Sequence, residues 1–284
     1  MQFGNYRVEV IPDCEFRLDG GAMFGVVPRN LWSKVCPPDE QNRIRMNMNC
    51  LFIEAGDERI LIDSGIGDKL TAKHRAMYGI DRRRSLGDSL RAIAGLAPEE
   101  ITIVVNTHLH FDHAGGNTMF DPWGKAVASF PNARYFASRA EYEHAQAPTE
   151  RDRASYLPDN WQPLMESGQL ELKPANYEVV PGLRMETHAG HNRSMQCARL
   201  ERDGQTLFAF ADLVPTRAHL PFAWVMGYDL YPVETLDAKK KLLPQAAREN
   251  WTCLFYHDPD VALGRIVEEA GKLRVHALEK ARGD

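Results

Sequence analysis

Thr107-His108-Leu109-His110-Phe111-Asp112-His113, followed by Ala114-Gly115-Gly116, decides how this chain is read. Directly before it runs Ile101-Thr102-Ile103-Val104-Val105, the pattern of a strand buried on both faces. Four potential metal ligands, His108, His110, Asp112 and His113, fall within the six positions 108–113. On an extended segment, alternation puts His108 and His110 on the same side. Asp112 and His113 are then carried to the other side as the chain turns, the bend eased by Gly115-Gly116. Such an arrangement suits two adjacent cations rather than one. Imidazole and carboxylate together favour Zn²⁺, with Mn²⁺, Fe²⁺ or Co²⁺ as alternatives. Desolvating three imidazoles and a carboxylate behind a buried strand without a cation would be costly.

Outward from the motif, residues 49–54 and 59–63 read as a hairpin joined by Ala55-Gly56-Asp57-Glu58. The second run ends in Asp63-Ser64-Gly65-Ile66-Gly67, a loop at a strand tip. Residues 85–94 have Leu86, Leu90, Ile93 and Ala94 at helical spacing, with Gly95 as the stop and residues 98–100 as a turn. Residues 133–137 read as a strand whose successor, Ser138, caps a polar helix starting at Arg139. Residues 207–211 form a short apolar strand ending at Asp212, residues 235–250 a long helix, and residues 252–256 a strand ending at His257. A final hairpin spans residues 262–277. Apolar strands thus end repeatedly in a metal-competent residue: Asp63, His108, Asp212 and His257. Strand ends at one sheet edge are where open α/β and sandwich folds place their chemistry.

The chain has 284 residues, 34 Lys+Arg against 39 Asp+Glu and a formal net charge of −5, with 44% hydrophobic and 26% charged residues. These are the values of a soluble globular protein, and they exclude collagen, coiled coil, disulfide miniprotein and disorder. No apolar run approaches the roughly 18 residues of a membrane span. The N-terminus lacks the cationic head and apolar run of a secretory signal. Five cysteines at 14, 36, 50, 197 and 253, without C-x-x-C spacing, fit buried thiols in a reducing, cytoplasmic setting. The mild acidity excludes a nucleic-acid scaffold, which needs a basic footprint. Arg82-Arg83-Arg84 and Lys239-Lys240-Lys241 read as solvated faces. No Pro/Gly/Ser linker divides the chain, so one domain over 1–284 is expected, its core at about 49–259.

The H-x-H-x-D-H motif resembles that of the metallo-β-lactamase superfamily. The resemblance implies an α/β fold, a four-layer αββα sandwich with a one- or two-metal site at one edge of its paired sheets. Thr187-His188-Ala189-Gly190-His191 is similar to the family's T-P-G-H segment, with His188-Ala189 where the family has proline. Asp212 matches the family's bridging aspartate and His257, in Leu-Phe-Tyr-His-Asp-Pro, its final histidine. The implied ligand set is His108, His110 and His191 for one ion, Asp112, His113 and His257 for the other, and Asp212 between them. Asp63 by the same analogy orients a ligand histidine. His74, His144 and His276 read as surface residues.

The ligand set implies a hydrolase in which water activated by two divalent ions attacks an ester-type bond, with Asp112 and Asp212 catalytic through those ions. No G-x-S-x-G elbow competes with this reading. Residues 212–232 and 19–28 resemble the quorum-quenching lactonase branch, implying a small-molecule lactone of the acyl-homoserine type. A phosphotriester hydrolase and an iron-dependent oxidoreductase on the same fold are the alternatives. Lactonases of that branch use a tyrosine to assist the carbonyl; Tyr228 and Tyr231 are candidates, and His219 is the other. The stretch 215–231, with Met23 and Phe24, is expected to form the substrate wall. Leu220, Phe222, Trp224, Val225 and Met226 are too apolar for a solvated loop. A hydrophobic plug under the final helix or a homodimer contact is the other use of such residues.

Overall fold

Strand Arg43–Ala55 turns through Gly56, at φ 65°, into strand Glu58–Ile62, pairing Ala55 with Glu58 and Leu51 with Ile62. The hairpin read at residues 49–63 is therefore present, with its first strand extended back to Arg43. The computed structural model describes residues 1–278. The described chain divides into two compact units, one of Gln2–Phe16 and Met48–Tyr177, the other of Met1, Arg17–Asn47 and residues 178–278.

In the unit built on Met48–Tyr177, the sheet continues from Glu58–Ile62 to Ile103–Val105, Arg134–Ser138 and Leu170–Lys173, all parallel. It is the far part of a seven-stranded sheet that starts with Gln2–Phe3 and Tyr6–Asp19. Parallel neighbours need crossovers, and helices supply them. Helix Leu86–Ile93 starts where the Ser85 hydroxyl accepts from Asp88 N, and Gly95, at φ 77°, follows its end. Helix Arg139–Gln146 is capped in the same way by Ser138. Ile103, Val104 and Val105 are at most 1% exposed, as expected of a strand covered on both faces.

The other unit carries its own seven-stranded sheet, in the order Tyr177–Val180, Leu183–Thr187, Gln196–Arg202, Gln205–Ala209, Thr252–Leu254, Leu263–Glu269, Lys272–Ala277. Its parallel pair, Gln205–Ala209 with Thr252–Leu254, is joined through the long helix Pro232–Arg248. Two mixed sheets with helical crossovers realise the α/β class that the family resemblance implies.

Two short loops of the first unit approach so closely that side chains are excluded. Gly116 N donates to Gly65 O at 2.9 Å, and Ser64 N to His113 O at 2.8 Å. A Cβ on Gly115 would lie 2.0 Å from Ile66 O, and one on Gly116 2.0 Å from Ser64 O. Lys69 fastens the pair by donating to the carbonyls of Gly115 and Thr118. Asp63 and His113 stand at the starts of these two loops, so the glycine contact sets their separation. Gly115→Ala should cost about 1–3 kcal/mol of stability through backbone displacement, read as a lower urea midpoint at an unchanged m-value. An unchanged midpoint would show that the loops separate without penalty.

Candidate metal centre

After Val105 the chain bends at Thr107, reaches His110, which bridges to Tyr156, and then enters one helical turn at Phe111–Ala114. That switch separates His108 and His110 from Asp112 and His113, which lie on the turn. His108 and His113 are fully buried, and His110 and Asp112 are 7% and 6% exposed. The His108 ring lies with its centroid 4.6 Å from that of His110 and 4.1 Å from that of His113. Asp112 Oδ2 is 3.9 Å from His113 Nε2.

Asp63 organises this cluster, as the family likeness implied. Its carboxylate accepts from Thr107 N and Thr107 Oγ1, both at 2.8 Å, and from His113 Nδ1 at 2.9 Å. Because the single Thr107 hydroxyl proton goes to Asp63, its oxygen accepts from His108 Nδ1 at 3.0 Å. Both histidines thus carry their proton on Nδ1 and keep the Nε2 lone pair for another use. Asp63 holds φ 58°, a left-handed value that a site residue keeps only when its surroundings enforce it. Glu141, 1% exposed, accepts from Leu109 N at 2.9 Å and from Tyr156 Oη at 3.0 Å, and the Tyr156 ring stands edge-on to His110 at 4.7 Å.

The other unit brings His191, Asp212 and His257 together. The strand at 205–209 stops short of the aspartate. Ala211, at φ 48°, bends the chain so that Asp212 lies in the turn Ala211–Leu213, 6% exposed. Asp212 Oδ2 is 3.3 Å from His191 Nε2, and Asp212 Oδ1 is 2.9 Å from His257 Nε2. The opposite nitrogens are already engaged. His191 Nδ1 donates to Asp229 at 3.0 Å, and Asp229 in turn accepts from the Thr235 hydroxyl at 2.7 Å. His257 Nδ1 donates to the carbonyl of Asn47 at 3.2 Å. A carbonyl only accepts, so the His257 proton is on Nδ1 and its Nε2 lone pair faces a carboxylate oxygen. A proton or a metal ion must lie between such groups, and nitrogen with carboxylate oxygen is the donor chemistry of Zn²⁺ and its neighbours. The residues fit a divalent metal.

Several sequence readings change. His219 is 1% exposed, with Nδ1 bonded to Thr216 Oγ1 and Nε2 to the carbonyl of Met23, both at 2.8 Å, and its ring stacks on Phe24 at 4.6 Å. Both nitrogens are committed, so it fastens the N-terminal loop rather than serving a substrate carbonyl. Burial pulls its pKa down to about 3. Tyr231 lies beneath the Arg193 guanidinium, 4.1 Å from its ring centroid, while Tyr228 is exposed. His144 is half-buried and paired with Asp152 at 2.6 Å rather than solvated. Asp229, Thr235 and Glu141 were not legible in the sequence, because their roles depend on partners 38, 6 and 32 residues away. Of these, only Asp229 lies in a stretch already singled out.

Comparison with known proteins adds to this geometry. The family model of the metallo-beta-lactamase superfamily matches residues 44–257. A Bacillus cereus protein named N-acyl homoserine lactonase is 27% identical over 231 residues, covering 76% of this chain and 83% of the relative. A probable metal-dependent hydrolase from Staphylococcus aureus superposes with a TM-score of 0.89 at 30% identity, covering 99% of this chain and all of the other. AidC, described as a dizinc quorum-quenching lactonase in complex with a product, superposes at 0.78 with 20% identity, covering 99% and 97%.

The placement of these protons can be measured in two ways. Asp229→Ala should weaken metal binding about 10- to 100-fold with the fold retained, measured by competition against a chromogenic chelator; affinity within twofold of wild type would remove Asp229 from this role. His219 stays neutral in the folded protein, whereas the unfolded chain takes up a proton below its ordinary value of 6.5. Its contribution is therefore complete above pH 7 and is lost as pH falls towards 3, by at most about 1.4 kcal/mol per pH unit. His219→Gln should flatten that part of the stability–pH curve in urea titrations. A curve parallel to wild type would contradict the assignment.

Proposed function

The chain belongs to the metallo-beta-lactamase superfamily, and we propose that within it this protein is a dinuclear metal-dependent lactonase. Its substrate is a lactone of the acyl-homoserine type. On this reading His108, His110 and His191 hold one ion and Asp112, His113 and His257 the other, the ligand order that membership of the family implies. Asp212, with an imidazole Nε2 near each of its oxygens, is the bridging residue, and this carboxylate is the observation that carries the reading.

Bound divalent cations supply water activated at neutral pH and an electrophile for the carbonyl oxygen. The protein's part is to keep the ligands ready for them. With their Nδ1 protons held by Asp63, Thr107, Asp229 and the Asn47 carbonyl, His113, His108, His191 and His257 would hold the ions through Nε2. Ring opening adds one water across the acyl C–O bond and yields a hydroxy acid. Zinc is the first choice of ion, on the donor set and on the dizinc description of AidC. The lactone assignment draws on relatives named as lactonases and on the apolar stretch 215–231 with Met23 and Phe24, placed here as the substrate wall. Leu220, Met226, Met23 and Phe24 are buried, Trp224 and Val225 half-buried, and Phe222 exposed at the tip. That gradient suits a wall with a packed base and an accessible edge. All five cysteines are free thiols, in keeping with a reducing, cytoplasmic setting. Among the described residues no helix is long and apolar enough to cross a membrane.

Purified protein reconstituted with zinc should bind close to two ions per chain by elemental analysis and open acyl-homoserine lactones in preference to phosphotriesters, thioesters and β-lactams. Asp212→Ala should lower kcat/KM about 10³-fold, as expected for loss of several kcal/mol of electrostatic stabilisation, while the thermal transition persists. Saturation at one ion rejects the dinuclear reading. Preference for a phosphotriester, or iron-dependent redox turnover, rejects the lactone.

A further inference from the structure

Lys239-Lys240-Lys241 reads in the sequence as a solvated face, and two of the three lysines are exposed. Lys239 is not: it is 1% exposed and lies in the buried stripe of helix Pro232–Arg248 with Thr235, Leu242, Leu243 and Ala246. Leucine or methionine would serve that stripe without the penalty of burying a charge. The ammonium has a definite task. Lys239 Nζ donates to Pro221 O at 2.9 Å and to Trp224 O at 2.7 Å. These are the two ends of one turn, since Trp224 N also donates to Pro221 O at 2.9 Å. Burial draws the Lys239 ammonium down to about 7, against the pull of the Asp229 charge.

The turn carries the tip of the apolar stretch. Trp224 stands edge-on to Phe24 at 5.5 Å, and Phe24 is stacked on His219 and on Trp32. Gly227 N donates to Ala22 O at 2.7 Å, and His219 Nε2 to Met23 O at 2.8 Å. Those two bonds tie the stretch to the N-terminal loop, whereas Lys239 ties it to the helix. One helical turn earlier on the same face, Thr235 holds Asp229, which holds His191.

We infer that Lys239 is a positioning residue for specificity, clasping the Pro221-to-Trp224 turn so that the substrate wall keeps one shape in register with His191. The assignment rests on the lactonase reading for its substrate, but not for its structural content. The test is amide hydrogen exchange of the peptide over 220–227 in zinc-loaded wild type, Lys239→Met and Lys239→Gln, with metal content and acyl-chain-length kinetics on the same preparations. Lys239→Met should raise exchange in that peptide about tenfold or more, with two ions retained. It should raise KM for long-chain lactones by about tenfold, flatten the chain-length preference and move kcat less than twofold. Lys239→Gln, which keeps a donor of shorter reach, should fall between.

Unchanged exchange in a folded Lys239→Met protein overturns the clasp, whether or not any lactone is turned over. Loss of a metal ion also overturns it, since Lys239 would then act on His191 through Asp229. Global unfolding of both variants overturns it in favour of a core role. A wild-type enzyme inert towards lactones rejects the proposed substrate, while the exchange comparison still decides the clasp.

Discussion

The Asp212 carboxylate is the constraint on which the rest depends. It is nearly buried, it lies within 3.3 Å of two imidazole nitrogens, and the His257 nitrogen facing it carries a lone pair. Without a cation, two acceptors would confront one another in a region of low dielectric. A divalent ion converts that repulsion into coordination. The residues that place protons on the far nitrogens therefore matter as much as the ligands, because they decide which lone pairs are offered.

Each unit meets that requirement by different means. In one, a single carboxylate, Asp63, collects Thr107 and His113, and through the threonine hydroxyl it sets the proton of His108. In the other, Asp229 and a backbone carbonyl divide the work between His191 and His257. Two of the non-glycine residues at positive φ, Asp63 and Ala211, stand beside these groups. Left-handed conformations at non-glycine residues persist where neighbouring structure holds them. The interlocked loops at Ser64 to Gly67 and His113 to Gly116 do so for Asp63. For Asp212, the turn is followed by His257 N donating to Pro215 O, and Asp258 accepts from Arg217 N, joining the loops that carry the aspartate and the last histidine.

The helix Pro232–Arg248 links the Asp229–His191 pair to the apolar stretch beside it. Thr235 and Lys239, four residues apart, turn polar groups inward from a stripe otherwise made of leucine and alanine. One bonds Asp229, the partner of His191, and the other bonds the backbone carbonyls of Pro221 and Trp224. Buried polar side chains of this kind are tolerated because each is bonded, and they specify one arrangement where apolar packing would permit several.

H-x-H-x-D-H after a buried strand, the hairpin at 49–63 and the capping serines at 85 and 138 were legible in the sequence, whereas Asp212 and His257, read as strand ends, lie in turns beyond strands that stop at Ala209 and Leu254. Each legible feature is a local signal, readable from periodicity, a cap or a cluster of donors, and family likeness supplied the order of the distant ligands. Tertiary structure alone decided what the neighbours of those ligands do. Asp229, Thr235 and Glu141 look like ordinary polar residues until folding brings their partners to them. His219 looked available for chemistry, and packing against Phe24 with both nitrogens bonded removed it. Lys239 read as one member of a basic run, but a register of about 100° per residue points it inward while Lys240 and Lys241 face water. A local pattern reports which groups are present. Which proton each group holds, and whom it faces, is set by contacts that only the folded chain creates.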